Sequence, residues 1–225
     1  MKIAEIKFSI SGEISKYPQG SPAVFIRLAG CNLAQKPCAF CDTRYALLSD
    51  SAAYDEPVHS VVERLEQSCS KNRVVVITGG EPLFQSYAVI QLITELKYNG
   101  FHNVVVETNG TYNARSILPD VSGLCVVADY KPPSSGNWNL MNLDNFIGLK
   151  KEDVIKFPVR DSEDYERAVI TKHLIERRGC DCMKAVSPVF NNDKTMIGEA
   201  YYVLGQAAQE GFIVSVQLHK LINVY

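Results

Sequence analysis

The sequence predicts an α/β fold, a trimmed partial (β/α) barrel of mainly parallel strands. Its short β-branched runs are continuously apolar, which is typical of strands buried on both faces. Stretches with helical periodicity separate these runs. Strand and helix alternation of this kind implies right-handed βαβ units, hence a barrel or an open doubly wound sheet. The connection between the runs at 103–107 and 124–129 is short, so its helix must be stunted and the barrel incomplete.

Each element follows from its local pattern. Seven parallel strands are predicted at 23–28, 73–77, 103–107, 124–129, 153–159, 183–188 and 212–218, with an additional strand at 2–9. Apolar residues recur at i, i+3, i+4 and i+7 in two helices, at 58–65 and 89–96, and two more helices are predicted at 161–178 and 194–209. Gly100 is placed to end the second helix. Since no repeat or linker divides the chain, we expect one domain over residues 1–225.

Composition excludes several classes of protein. The chain has 225 residues, 46% of them hydrophobic, and a formal net charge of −2. Without a cluster of Lys and Arg, it is not expected to bind nucleic acid. No apolar run approaches the roughly 20 residues of a membrane helix, and Glu5 interrupts the segment where a signal peptide needs an apolar core. We therefore expect a cytoplasmic protein that does not enter a membrane.

Three of the seven cysteines lie close together and indicate a metal site. Cys31, Cys38 and Cys41 fall within eleven residues. Thiolates suit either an iron–sulfur cluster or zinc. A closed zinc site needs four ligands, which His102 or Cys125 would have to complete through folding, and a redox Cys-x-x-Cys pair is a further alternative. The spacing of the cysteines alone leaves these possibilities open.

Unusual residues follow directly after the predicted strands. They are Gly30-Cys31, Thr78-Gly79-Gly80-Glu81-Pro82, Thr108-Asn109-Gly110, Asp129-Tyr130-Lys131 and His219-Lys220. Parallel α/β folds build their active sites at the carboxyl ends of the strands. We therefore expect these segments to converge on one site, although they span most of the chain.

Taken together, these motifs resemble the radical S-adenosylmethionine superfamily, and within it the 7-carboxy-7-deazaguanine synthase family. The resemblance is carried by Gly-Cys-Asn-Leu at 30–33, Cys-x-x-Cys-Asp-Thr at 38–43, Thr-Gly-Gly-Glu-Pro at 78–82 and Glu-Thr-Asn-Gly at 107–110. The segments 8–13, 22–31 and 217–220 extend it to both ends of the chain. Six residues separate Cys31 from Cys38 where the superfamily usually has three, which predicts an enlarged loop.

The resemblance implies a set of cofactors. Cys31, Cys38 and Cys41 would hold a [4Fe–4S] cluster whose open iron binds S-adenosylmethionine, and Thr43 would ligate Mg²⁺. The expected cofactor-binding residues are Gly79, Gly80, Glu81, Thr108, Asn109, Asp129 and Lys131. Purely structural roles are the alternatives: a βα turn for the paired glycines, a tight turn for Asn109, an exposed loop position for Lys131 and a helix cap for Thr43.

The implied substrate is 6-carboxy-5,6,7,8-tetrahydropterin, which would undergo ring contraction with loss of ammonia. Arg27 interrupts an apolar strand, and its guanidinium suits either the substrate carboxylate or an internal Glu. Glu13 suits the guanidine-like edge of the pterin. The remaining candidate substrate contacts are Ser11 (where the family often has Gln), Thr78, His219 and Tyr225. The resemblance also implies a homodimer and an electron donor such as flavodoxin or ferredoxin.

Two other functions compete with this interpretation. A glycyl-radical activase would share the cysteine and Gly-Gly-Glu-Pro motifs without needing Arg27 or Glu13. A zinc-stabilised binding module would need no radical chemistry. Cys180 and Cys182 flank Asp181 in a loop before a predicted strand, and are expected to be two incidental thiols or an oxidation-prone pair.

Overall fold

A computed structural model describes residues 1–190 and 204–224 of the chain. Within these residues, nine strands form one sheet. They are β1 (Lys2–Ile10), β2 (Pro22–Leu28), β3 (Tyr54–Asp55), β4 (Val74–Gly79), β5 (Val104–Thr108), β6 (Leu124–Asp129), β7 (Val154–Val159), β8 (Met183–Pro188) and β9 (Ile213–Val214). Their order is β3-β1-β2-β4-β5-β6-β7-β8-β9. Strands β2 and β4 to β9 pair in parallel, whereas β1 is antiparallel to β2 and β3, which confirms the mainly parallel sheet.

The helices connect successive parallel strands. They are α1 (Val58–Ser68), α2 (Ser86–Tyr98), α3 (Ala114–Ile117), α4 (Asp144–Ile147) and α5 (Ser162–Arg177), followed by the single turn Leu218–Leu221. Helix α3 has only four residues, as the short connection between β5 and β6 predicted. The helix predicted at 194–209 lies largely outside the described residues.

The two faces of the sheet pack differently. Side chains of α1 and α2 pack against alternate strand residues such as Val75 and Ile77 in one large apolar core. The intervening residues, including Val74 and Val76, form a smaller cluster on the other face, which is covered by Ile14 and Tyr17 of the β1–β2 connection. Each fully buried aliphatic side chain stabilises the folded protein by about 1.5 to 3 kcal/mol relative to an exposed one. The β1–β2 connection therefore covers one end of this second face and leaves the carboxyl ends of the strands open.

The C-terminal strand is much shorter than the sequence predicts. Only Ile213 and Val214 pair with β8, instead of the whole segment 212–218. After them, the Ser215 hydroxyl accepts a hydrogen bond from the Ile14 N–H at 3.2 Å, and the Leu218 N–H donates to the Gly12 carbonyl at 2.8 Å. The Ser215 N–H still donates to the Val186 carbonyl of β8 at 2.8 Å, and beyond it the chain turns towards the β1–β2 connection. His219 consequently lies in a helical turn and not at the end of a strand.

The described residues contain no helix long and apolar enough to cross a membrane.

Candidate active site

A cavity of about 1180 Å³ opens at the carboxyl ends of the parallel strands. The segments that follow β2, β4, β5 and β6 converge on it, as parallel topology requires. Its lining includes most of the sequence-predicted site residues: Ser11, Glu13, Arg27, Cys31, Cys38, Cys41, Thr43, Thr78, Gly79, Gly80, Thr108, Asn109, Asp129, Lys131 and His219. Glu81 does not line it, and Tyr225 lies outside the described residues.

The enlarged cysteine loop folds as consecutive tight turns. The Ala34 N–H donates to the Cys31 carbonyl at 3.1 Å, and the Cys41 N–H donates to the Cys38 carbonyl at 3.0 Å. Across the loop, the Ala39 N–H donates to the Ser135 carbonyl at 3.0 Å. The three cysteines lie in one apolar cluster with Leu33 and Leu47. The insertion therefore keeps Cys31 beside the other two thiols.

Amide groups surround the two buried thiols. The Leu33 N–H lies 3.4 Å from the Cys31 Sγ, and the Asn109 side-chain amide lies 3.9 Å from the same atom. The Asn137 side-chain amide lies 3.7 Å from the Cys38 Sγ. Burial raises the pKa of both thiols. N–H donors around sulfur stabilise thiolates once a metal has displaced the proton, and they tune the potential of iron–sulfur clusters.

A cluster and a single metal ion require different spacings of the three thiols. Among the described residues, no group of three or more His, Cys, Asp or Glu side chains is arranged to hold one ion. Thiolates on one tetrahedral zinc would lie about 3.8 Å apart, from Zn–S bonds of about 2.3 Å. In a [4Fe–4S] cluster each cysteine binds a different iron, which requires a wider separation. Three thiols around a shared cavity, with N–H donors behind them, fit the cluster.

The Gly79-Gly80 turn is fixed by close contacts between backbone segments. A Cβ on Gly79 would lie 2.3 Å from the Leu28 carbonyl oxygen, and one on Gly80 would lie 2.4 Å from that of Gly30. Gly79 also has φ of +148°, a conformation that side chains rarely permit. Only glycine therefore lets this turn approach the end of β2 and the cysteine loop.

Glu81 connects two turns and does not reach the cavity. Its side chain is completely buried. One oxygen accepts from the Leu83 N–H at 2.9 Å and the Thr108 hydroxyl at 2.8 Å, and the other accepts from the Asn109 N–H at 2.6 Å. Burial raises the pKa of Glu81 to about 7, although these donors oppose the shift. Glu81 thus holds the segment 108–109 against the Gly-Gly turn, and its contact with the cofactor stays a prediction.

A network of charged side chains forms another part of the cavity wall. The ammonium of Lys156 contacts the Glu13 carboxylate and lies 3.1 Å from that of Asp129. Lys131 lies 2.7 Å from Asp129, and the Gln217 amide lies 2.5 Å from Glu13. Burial acts to raise the pKa of Glu13 and Asp129, but Lys156 beside Glu13, and Lys131 and Lys156 beside Asp129, hold both pKa values below their ordinary range. The carboxylates are therefore ionised at neutral pH.

Glu107 and Lys156 are site residues that the sequence reasoning missed. Both line the cavity from within β5 and β7. Burial and the charge of Glu13 raise the pKa of Glu107 to about 7, although Lys156 opposes the shift. The sequence does indicate both residues, because burying a charged side chain within an apolar strand costs free energy unless the charge is paired or functional. The same reasoning had singled out Arg27.

Arg27 faces the cavity but already has one carboxylate partner. Its Nε donates to the Glu5 carboxylate at 2.8 Å, and Glu5 also accepts from the Tyr45 hydroxyl at 2.7 Å. The internal ion pair considered from the sequence is therefore present. Among the described residues, the bond from Nε to Glu5 is the only hydrogen bond that the Arg27 guanidinium makes. The outer edge of the guanidinium, formed by its two terminal nitrogens, is therefore available to a ligand.

The remaining predicted residues occupy the rim and floor of the cavity. Thr43 follows the cysteine loop, with its Oγ1 at 3.9 Å from the Cys41 Sγ. Asp42 beside it lies 2.7 Å from Lys220. His219 packs directly on Gly12, where a Cβ would lie 2.0 Å from the imidazole Nδ1. The C-terminal turn is thereby held over the end of β1, next to Ser11.

Comparison with known proteins agrees with this arrangement. A sequence profile of the Radical SAM superfamily matches residues 25–124. The chain is 32% identical over 225 residues to the 7-carboxy-7-deazaguanine synthase of Clostridium acetobutylicum, covering 98% of this chain and 95% of that protein. It is 37% identical over 226 residues to the enzyme of the same name from Methanospirillum hungatei, covering 100% of this chain and 86% of that protein.

A solved structure shows similarity in fold. The structure of native anSMEcpe with bound AdoMet and Cp18Cys peptide superposes with a TM-score of 0.50 at 14% identity. The match covers 84% of this chain and 60% of that chain. At this identity the similarity concerns the fold alone.

Proposed function

This chain belongs to the 7-carboxy-7-deazaguanine synthase family, and we propose that it converts 6-carboxy-5,6,7,8-tetrahydropterin to 7-carboxy-7-deazaguanine with loss of ammonia. One observation carries the proposal. One cavity is lined both by three cysteine thiols and by a network of carboxylates and cations. A cluster held by these thiols would thus share the cavity with a polar binding surface.

The cofactors follow from membership in the superfamily, which uses an iron–sulfur cluster and S-adenosylmethionine. When bound, they supply the radical that removes a hydrogen atom from the substrate. Cys31, Cys38 and Cys41 would hold the [4Fe–4S] cluster. The backbone at Gly79 and Gly80, with Thr108 and Asn109, would face the adenosyl ligand, while Glu81 positions these two turns against each other.

The charged wall is suited to a pterin carboxylate. The outer edge of the Arg27 guanidinium would pair with the substrate carboxylate. Glu13, ionised at neutral pH, would accept hydrogen bonds from the guanidine-like edge of the pterin. Glu107, with a pKa raised to about 7, can either donate or accept a proton in the cavity. Holding the substrate between these groups orients the reacting carbon towards the radical.

Magnesium would be held near Thr43. Its hydroxyl is a hard oxygen ligand next to the cavity, and Mg²⁺ prefers such ligands together with several waters. The ion would neutralise charge on the substrate carboxylate during the rearrangement. Ser11, Thr78, His219 and Tyr225 would complete the substrate contacts.

An external one-electron donor such as flavodoxin or ferredoxin would reduce the cluster, as the resemblance to the superfamily implies. Exposed aromatic side chains at Phe84, Tyr87 and Tyr98 support assembly into a homodimer. The small-molecule substrate leaves no need for nucleic acid or membrane partners, and the protein would act in the cytoplasm.

The two competing functions have less support. A glycyl-radical activase would need the cysteines but not the network around Glu13 and Lys156. A zinc module would need neither this network nor the similarity of nearly the whole chain to 7-carboxy-7-deazaguanine synthases.

The test is anaerobic incubation of the reconstituted protein with S-adenosylmethionine, a reductant, Mg²⁺ and 6-carboxy-5,6,7,8-tetrahydropterin. The expected result is 7-carboxy-7-deazaguanine and ammonia, detected by chromatography with mass spectrometry. Cys38→Ala should abolish the product, and the matched variant Cys69→Ala should retain it. Cleavage of S-adenosylmethionine without any deazaguanine would show that the substrate assignment is wrong.

A further inference from the structure

A second group of thiols lies far from the candidate active site. Cys180 and Cys182 occupy the turn between α5 and β8, immediately before the amino end of β8. The active-site cavity lies at the carboxyl end of the same strand, about 17 Å away for six residues of strand. A separate cleft of about 560 Å³ opens at the cysteines and is also lined by Glu176, Asp181, Lys184 and Ile213. This cleft thus reaches the two cysteines separately from the active-site cavity.

The geometry of this pair is close to that of a disulfide. The two Sγ atoms lie 3.3 Å apart, so forming a bond of about 2.05 Å requires them to approach by only about 1.2 Å. Both side chains are nearly buried, at 3% and 2% exposure. The Cys180 Sγ also lies 3.4 Å from the Phe146 carbonyl oxygen. Packing therefore holds the thiols together.

The two thiols differ in acidity. The shared S–H···S contact with Cys182 lowers the pKa of Cys180 to about 6 against the effect of burial, and the ammonium of Lys184 adds to the shift. The same contact and burial raise the pKa of Cys182. A thiolate is the nucleophile in thiol–disulfide exchange, and a buried protonated thiol nearby can then act as the resolving group. Cys180 is placed to attack and Cys182 to resolve.

We propose that Cys180 and Cys182 form a redox-active dithiol site that small-molecule disulfides convert to an intramolecular disulfide. The Cys180 thiolate attacks one sulfur of the small disulfide, whose S–S bond breaks and releases one thiolate. Cys182 then loses its proton, and its sulfur attacks that of Cys180. This step releases the second thiolate. The two sulfurs of the protein are oxidised by two electrons, the small disulfide is reduced to two thiols, and the two protons end on those thiols.

Other cysteines of the chain provide internal controls. Cys125 is completely buried in β6, and burial raises its pKa to about 12. Cys69 lies at the end of α1, and burial raises its pKa as well. Neither side chain has another thiol as a hydrogen-bond partner within the described residues. Both are expected to remain thiols under conditions that oxidise the pair.

The experiment uses the reconstituted holoenzyme under anaerobic conditions with bis(2-hydroxyethyl) disulfide and 2-mercaptoethanol in varied ratios. After acid quenching, denaturation and alkylation with N-ethylmaleimide, trypsin releases residues 179–184, which contain both cysteines and no other. The expected peptide lacks two hydrogens and carries no alkyl group, and dithiothreitol restores two alkylation sites. Iron content and alkylation of Cys69 and Cys125 should not change. Two alkyl groups at the highest disulfide ratio would overturn the proposal.

Two single variants test the assigned roles. Cys182→Ser should trap 2-mercaptoethanol as a mixed disulfide on Cys180 at neutral pH. Cys180→Ser should leave Cys182 at least tenfold less reactive than Cys180 is in Cys182→Ser, because burial raises the pKa of the Cys182 thiol. Equal reactivity of the two variants would overturn the assignment of Cys180 as the attacking thiol. Loss of iron in parallel with peptide oxidation in the wild type would show that the oxidant acts at the cluster and would contradict a separate site.

Discussion

Replacing Lys156 with Met removes the cation at the centre of the charged wall. Lys156 contacts Glu13 and lies 3.1 Å from Asp129, and the three side chains are only 11 to 18% exposed. The variant keeps the volume of the side chain but leaves two carboxylates close together in a poorly solvated space. Their mutual repulsion and incomplete pairing should destabilise the folded protein and raise the pKa of Glu13.

The size of the effect follows from the partners that remain. Removing one member of a buried ion pair typically costs about 3 to 5 kcal/mol. Lys131 stays 2.7 Å from Asp129, and the Gln217 amide stays 2.5 Å from Glu13. The cavity also admits water to these groups. We therefore expect the lower end, about 3 kcal/mol, at pH 8, where both carboxylates of the wild type are ionised.

Urea unfolding of the reconstituted protein measures this loss, and steady-state kinetics measure KM for the pterin. The matched control is Lys150→Met, which removes an exposed lysine paired with Asp120 and should cost less than about 1 kcal/mol. KM should rise more than tenfold in Lys156→Met and stay unchanged in the control. Equal stability and KM in the two variants would refute the idea that Lys156 organises the charged wall.

Three further predictions concern single contacts of the site. Glu81→Gln removes a carboxyl group whose pKa is raised to about 7, so below that pH the folded wild type binds a proton that the unfolded chain does not. In urea titrations, the stability of the wild type relative to the variant should therefore fall by about 2 kcal/mol between pH 5.5 and 8. A difference in stability that does not change with pH would contradict this. Asn137→Ala removes the amide at 3.7 Å from the Cys38 Sγ and should make the cluster potential more negative in a redox titration followed by electron paramagnetic resonance; an unchanged potential would show that the contact is irrelevant. Thr43→Ala should raise at least tenfold the Mg²⁺ concentration needed for half-maximal activity, whereas Thr43→Ser should preserve it; equal Mg²⁺ requirements of both variants and wild type would exclude Thr43 as a ligand.

Much of the sheet could be predicted because its parallel strands are buried on both faces. The runs that became β6 and β8 have the predicted bounds, since continuous β-branched sequence leaves few alternatives to a buried strand. The strand predicted at 212–218 failed for a tertiary reason. The Ser215 N–H still donates to the Val186 carbonyl of β8 at 2.8 Å, but the Ser215 hydroxyl and the Leu218 N–H bond to the distant β1–β2 connection, and nothing local in the sequence signals those contacts.

The site residues also divide into those that local sequence indicates and those that depend on tertiary contacts. Local motifs identified the cysteines and the Gly-Gly turn, because the residues that form a turn are adjacent in the sequence. The role of Glu81 depends on Thr108 and Asn109, which reach it only when β4 and β5 pair. Lys156 is recognisable from the sequence as a lysine inside an apolar strand. Its partners are not, because they come from three separate segments. Electrostatic networks of this kind emerge only when the strands are assembled.

The central claim is that Cys31, Cys38 and Cys41 hold an iron–sulfur cluster despite the long insertion between the first two. Iron and sulfide analysis of anaerobically reconstituted protein tests it most directly, comparing wild type with Cys31→Ala, Cys38→Ala and Cys69→Ala. Wild type and Cys69→Ala should hold about four iron and four sulfide per chain. The other two variants should lose most of both. One tightly held zinc without sulfide, or a full complement of iron in Cys31→Ala, would contradict it.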